Sequence, residues 1–163
     1  MKLYLKQKVL AWRDRFFIKD ENGKDRYAVE GKFPGRIVSV GQQLSVFDVA
    51  GNELALVRHK PKFFAMPRFG IEIDGHEVCE IVKKFKLVGQ RYNIEALSWH
   101  ITGLFDHLYE LKHDEKIIMK IDKAVISFGD SYELDILDTQ HELLCLCIAL
   151  AIDLSLALQN RNR

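Results

Sequence analysis

The sequence predicts a mainly β protein, a closed antiparallel barrel of about twelve strands around a buried C-terminal hydrophobic α-helix. Three observations carry that expectation. Short runs of alternating polar and apolar residues recur along the chain, each broken by a turn signal. The chain then changes character and ends on HELLCLCIALAIDLSLAL (141–158), which is apolar on every side. The dimensions of such a helix also match the bore of such a barrel.

The strands come first. FFIKDENGKDRYAVEG (16–31), LSVFDVAGNELALVRHK (44–60) and FGIEIDGHEVCEIVKKF (69–85) each read as a hairpin. In the third, Ile71 and Ile73 share a face opposite Glu72 and Asp74, and Asp74-Gly75 supplies the positive backbone angles of a two-residue turn. Further alternation marks RYNIEA (91–96), HLYEL (107–111), KIIMKID (116–122) and SYELDI (131–136). The strand-turn-strand unit has irregular length, so it predicts a meander rather than stacked solenoid modules. With 3 prolines and 10 glycines, mostly at turns, and no linker, residues 1–163 are expected to form a single domain.

The helix is expected at about 139–159. Thr139 and Glu142 have capping-box spacing, in which a hydroxyl and a carboxylate satisfy each other's backbone amides. From Leu143 to Leu158 only Asp153 and Ser155 interrupt the apolar residues. A helix that is apolar all round belongs in lipid or inside protein. The unbroken apolar stretch 143–152 is shorter than the roughly 20 residues a bilayer crossing needs, and Asp153 would cost about 2.5–3.5 kcal/mol at mid-span. The protein interior is therefore expected. About 19 helical residues make a rod roughly 28 Å long and 10 Å wide, too wide for eight strands and suited to eleven or twelve. Closure also removes sheet edges. A buried carboxylate requires a partner, so Asp153 is expected to be paired or to lie near a barrel mouth.

Bulk composition narrows the function classes. Of 163 residues, 48% are hydrophobic and 29% charged, which fits a globular core. Lys and Arg number 24 against 23 Asp and Glu, so no long-range field draws the protein to nucleic acid, and any anionic contact must be local. MKLYLKQKVLAWRDRFF lacks the unbroken apolar stretch of a signal peptide, so the cytosol is expected. Cys79, Cys145 and Cys147 are an odd number, which fits buried reduced thiols.

MKLYLKQKV, RYAVEGKF, MPRFGIEIDG, EIVKKF, RYNIEAL, SFGDSYELDI and the terminal helix together make the sequence resemble the LURP-one-related family of the tubby C-terminal-like superfamily, in its bacterial form. The resemblance spans nearly the whole chain. It implies a twelve-stranded barrel around a C-terminal helix and says little about function. Better-known branches of that superfamily bind phosphoinositides or are membrane-attached scramblases, but neither branch's motif maps onto positions here. A palmitoylation-type cysteine cluster and an Asp-rich calcium segment are both missing, which argues against lipid scrambling.

Several motifs imitate catalytic or metal chemistry. FGDSY (128–132) with Asp138 and His141 imitates a GDSL-type hydrolase, yet Ser131 runs straight into an alternating strand, where a nucleophile elbow opens a helix. HELLC (141–145) imitates a zinc-binding helix. No third ligand is visible, and Cys145 and Cys147 point roughly 200° apart. DENGKD (20–25) has its glycine fourth rather than sixth and Gly31 where a calcium loop needs glutamate. The other histidines, His59, His76, His100, His107 and His113, show no ligand spacing. No catalytic residue, metal ligand or cofactor is expected.

Two local basic clusters remain. RHKPKFFAMPR (58–68) interleaves Arg58, Lys60, Lys62 and Arg68 with Phe63, Phe64 and Met66, and KKFKLVGQR (83–91) carries Lys83, Lys84, Lys86 and Arg91. Charge with aromatic insertion suits an anionic phospholipid surface, while the plainer reading is a crossover whose aromatics pack on the barrel. Alternation sends Lys84 and Lys86 one way and Lys83 the other. The function expected is a non-catalytic binding or scaffold module, because the helix fills the interior an enzyme would use. An enzyme or small-ligand binder at a barrel mouth, and a subunit of a larger assembly, are the alternatives.

Overall fold

Alternating runs form strands because one face of each can then be buried while the other is wetted. The computed structural model describes residues 1–6, 15–32, 41–61, 66–84, 90–103, 108–123 and 131–161. Among these, twelve strands follow one another: β1 (Lys2–Lys6), β2 (Phe16–Asp20), β3 (Asp25–Lys32), β4 (Gln43–Phe47), β5 (Glu53–Lys60) and β6 (Arg68–Ile73). They continue with β7 (His76–Lys84), β8 (Arg91–Glu95), β9 (Trp99–Gly103), β10 (Leu108–His113), β11 (Lys116–Asp122) and β12 (Ser131–Ile136). Each pairs antiparallel with its sequence neighbours, and β1 pairs with β12, so the meander closes into a barrel. The closing seam sets Leu3 against Leu134 and Leu5 against Tyr132.

Inward residues follow the period of two. Leu3 and Leu5, Leu44 and Val46, Phe69 and Ile71, Tyr92 and Ile94, and Tyr132, Leu134 and Ile136 all belong to one buried cluster. Register shifts interrupt four hairpins, at Ile18/Lys19, Val46/Phe47, Ile71/Glu72 and Leu111/Lys112. All four lie next to the hairpin turn, where an extra residue bends the strand and curls the wall. Asp74 (φ 50°) and Gly75 (φ 77°) supply the paired left-handed residues the sequence predicts for the β6–β7 turn.

After β12, Thr139–His141 make a 3-10 turn and α1 (Glu142–Arg161) enters the barrel. Every residue from Leu144 to Ile152 is buried, none more than 8% exposed. Nine consecutive helical residues sweep all round the axis, so burial of all nine requires walls on every side. By length and composition this helix could cross a membrane, but here the strands enclose it.

One local expectation is corrected. The Thr139–Glu142 capping box does not form, and Asp138, which precedes the turn, makes no side-chain cap bond. The Glu142 carboxylate instead accepts from Arg26 Nε (2.8 Å), Arg26 Nη2 (2.8 Å) and the Tyr27 hydroxyl (2.9 Å). A forked guanidinium with a phenol outcompetes a single neutral amide for the same carboxylate.

Candidate functional site

The two rims of the barrel differ in kind. At one, strands are joined through the short stretches 21–24, 48–52, 74–75, 96–98 and 114–115, and α1 enters after 137–141. At the other, the strand ends are joined by 7–15, 33–42, 61–67, 85–90, 104–107 and 123–130, and α1 ends. By sequence, the stretches of the first rim hold one Lys or Arg against six Asp or Glu. Most of the connections at the second rim lie outside the described residues. The longer-connection rim is where a scaffold carries variable, functional segments.

Both basic clusters read in the sequence sit on this second rim. Lys60 ends β5, Arg68 opens β6, Lys83 and Lys84 end β7, and Arg91 opens β8. These four strands are neighbours, so two clusters separate in sequence become one arc in space. Lys62 and Lys86, with Phe63 and Phe64, lie outside the described residues; Met66 is exposed.

The arc is not uniformly free charge. The Lys60 ammonium lies 2.6 Å from Glu77 and 3.0 Å from Glu80, and Arg68 lies 2.7 Å from Glu80 and 3.5 Å from Glu95. Burial alone would lower the Lys60 pKa, but the two glutamates outweigh it and the net shift is upward. Gly70 makes room for this network, since a Cβ there would lie 2.8 Å from both Glu77 Oε2 and Lys60 Cε. Arg58 pairs with Glu72 at 3.2 Å. Lys84 and Arg91 differ: they face each other directly across β7 and β8, and among the described residues neither has a carboxylate partner.

Lys83 turns inward, as its parity with buried Cys79 and Ile81 requires. Its ammonium stands 5.8 Å from the centroid of the Tyr92 ring, and burial lowers its pKa. Tyr92 donates to Ser155 Oγ of α1 at 3.3 Å, and burial pushes its phenol up to about 12. Asp153 has the partner expected of a buried carboxylate: Lys123 Nζ lies 2.8 Å from Oδ1, with the two side chains only 10% and 12% exposed. The same ammonium lies 5.0 Å from the centroid of the Tyr132 ring and 6.0 Å from that of Tyr109. His59, also on the inner face, packs against Phe69, and burial lowers its pKa.

The imitation motifs do not assemble. Ser131 opens β12 at the second rim, whereas Asp138 and His141 follow its far end, so a strand of roughly 17 Å separates nucleophile from base. His141 instead meets the edge of Trp99, with ring centroids 5.0 Å apart, and its Nδ1 lies 3.4 Å from Asp138. Among the described residues no three His, Cys, Asp or Glu side chains group as metal ligands. In DENGKD, Asp20 Oδ1 accepts from the amides of Asn22 and Lys24, which makes the segment a self-capped turn. Cys79, Cys145 and Cys147 are free and buried, and burial raises the first two to about 12.

The family model described as LURP-one-related matches residues 1–153. A curated relative, the "Uncharacterized protein YxjI" of Bacillus subtilis (strain 168), is 33% identical over 146 residues, covering 89% of this chain and 87% of that protein. No solved structure matches the chain. On a match of that extent, and with the barrel and its enclosed helix in view, the chain belongs to the LURP-one-related family.

Proposed function

We propose that the protein is a non-catalytic, cytosolic binding module that presents its longer-connection rim to an anionic phospholipid surface. The observation that most supports this is Lys84 opposite Arg91. Like charges directly opposed across strands repel, and among the described residues no carboxylate relieves them. An anionic surface would relieve them. The acidic first rim supports the same orientation, since it would face away from the lipid. Lys60 and Arg68 contribute less, because their charge is spent on glutamates of the same wall. Three free, buried thiols fit a reducing compartment. The superfamily resemblance to tubby-like barrels is compatible with the reading, and the single-domain organisation is part of it.

Co-sedimentation with phosphatidylcholine vesicles and with vesicles containing phosphatidylserine, each at low and high salt, tests it. The wild type should pellet with the anionic vesicles at low salt only. Lys84→Glu/Arg91→Glu should weaken that binding roughly tenfold or more, from about 1 kcal/mol per basic residue at an anionic surface. Equal pelleting with both lipids at both salt concentrations would sink the proposal.

A further inference from the structure

One stretch of the outer wall holds a cation between two aromatic rings. Across β2, β3 and β4 the register sets Phe17 against Ala28 and Ala28 against Phe47. Tyr27 and Val29, on either side of Ala28, belong to the buried cluster, so by alternation Ala28 points away from the core. It is fully buried nevertheless. The Arg15 guanidinium stands midway between the flanking rings, with Cζ 5.7 Å from the centroid of Phe17 and 5.7 Å from that of Phe47. Arg15 Nη1 also donates to Glu30 Oε1 at 3.2 Å. Two rings, a carboxylate and a small-residue floor therefore converge on one positive charge.

Ring faces attract a cation within about 6 Å of the centroid, and aromatic cages are the recurrent means of holding quaternary ammonium groups. Phe17 and Phe47 stand on strands two spacings apart, about 9.5 Å, and Ala28 between them leaves that width open. Arg15 fills the slot poorly. Its side chain is 44% exposed, and it reaches Glu30 through one nitrogen rather than as a fork. Midway between rings this far apart, a flat guanidinium stacks on neither. A trimethylammonium group is globular, spreads its charge over methyls facing every direction, and can touch both rings together. Ser45, directly opposite Glu30, also points outward, since Leu44 and Val46 beside it belong to the core cluster. It is 1% exposed, and its hydroxyl has no hydrogen-bond partner among the described residues. An unpaired hydroxyl next to the slot suits a ligand with a hydroxyl of its own, and Glu30 disfavours one with a carboxylate.

We propose that this clamp is a binding site for a quaternary ammonium compound of the choline class, free or as a lipid headgroup, and that Arg15 is its resident competitor. The ligand enters as Arg15 leaves, so the apparent affinity is reduced by the fraction of time the slot is filled from within. The clamp lies on β2–β4, away from Lys84 and Arg91 on β7 and β8, so this inference stands without the membrane-surface reading.

Amide chemical-shift titration of the full chain with choline chloride, at constant ionic strength, tests it. Arg15→Ala empties the slot and should bind choline roughly tenfold more tightly than the wild type, with shifts centred on β2–β4. Because the expected change is a gain, misfolding cannot imitate it. The uncharged carbon isostere of choline should shift nothing, and Phe47→Leu in the Arg15→Ala background should abolish the response while the rest of the spectrum stays folded. Choline binding no tighter in Arg15→Ala than in the wild type overturns the site, as does equal binding of the isostere or binding that survives Phe47→Leu. Given the gain, pelleting of Arg15→Ala with phosphatidylcholine vesicles assigns a headgroup, and no pelleting assigns a soluble ligand; either upholds the site.

Discussion

Lys123→Met is the most informative single perturbation of the interior. The Lys123–Asp153 contact is 2.8 Å long, and both partners are about nine-tenths buried. Losing the ammonium strands a carboxylate on the core helix, where water cannot replace the lost partner. Breaking a buried pair from one side costs roughly 3–5 kcal/mol, whereas replacing both partners with apolar groups is often neutral or stabilising. For a chain of this length 1 kcal/mol corresponds to about 3 °C in Tm, so the single variant should melt roughly 9–15 °C lower. Lys123→Met/Asp153→Leu should recover most of that loss. Urea unfolding of wild type, both single variants and the double variant gives the coupling energy as a cycle. A Lys123→Met cost below about 1 kcal/mol would refute the reasoning, because that is the range of a solvent-exposed pair.

Other consequences follow from the same geometry. A Cβ on Gly41 would overlap the backbone carbonyl of His59, while one on Gly70 meets only the flexible ends of Glu77 and Lys60. Gly41→Ala should therefore unfold at markedly lower urea than Gly70→Ala, whose cost should stay near 1 kcal/mol or below. Burial alone would raise the Glu142 pKa, yet the bonds from Arg26 and Tyr27 outweigh it and hold the group below its ordinary value. A depressed folded pKa means the contribution is present above about pH 4.3, the unfolded value, and is lost as pH falls through the folded one. Wild type should thus lose stability in acid more steeply than Glu142→Gln, measured by thermal melts between pH 2 and 6. Leu150→Ala, in the fully buried span of α1, should cost roughly 2–5 kcal/mol in urea titration.

The architecture was legible because two periodicities coexist in the chain. Period-two runs placed most strands, and a helix without a polar face fixed what they enclose. β1 and β9 were not among the runs singled out, although Leu3 and Leu5, and Trp99 and Ile101, alternate as buried residues. The capping box failed because Arg26 and Tyr27 arrive from β3, more than a hundred residues earlier, and local spacing cannot foresee such a competitor. The candidate site was legible in part. Alternation alone separated inward Lys83 from outward Lys84. The glutamates that occupy Lys60 and Arg68, and the tyrosines around Lys123, depend on strand order and register, which no linear pattern encodes.

The central claim is that strands surround α1 on every side, and its own cysteines report on it. Cys145 and Cys147 lie roughly 200° apart around the helix, on nearly opposite faces, and both are fully buried. Maleimide labelling of the native protein, followed by mass spectrometry, should leave both thiols unmodified for as long as the barrel stays folded and should modify both once it is unfolded in urea. Rapid native labelling of either one would place that face of the helix in solvent and contradict the enclosed-helix barrel.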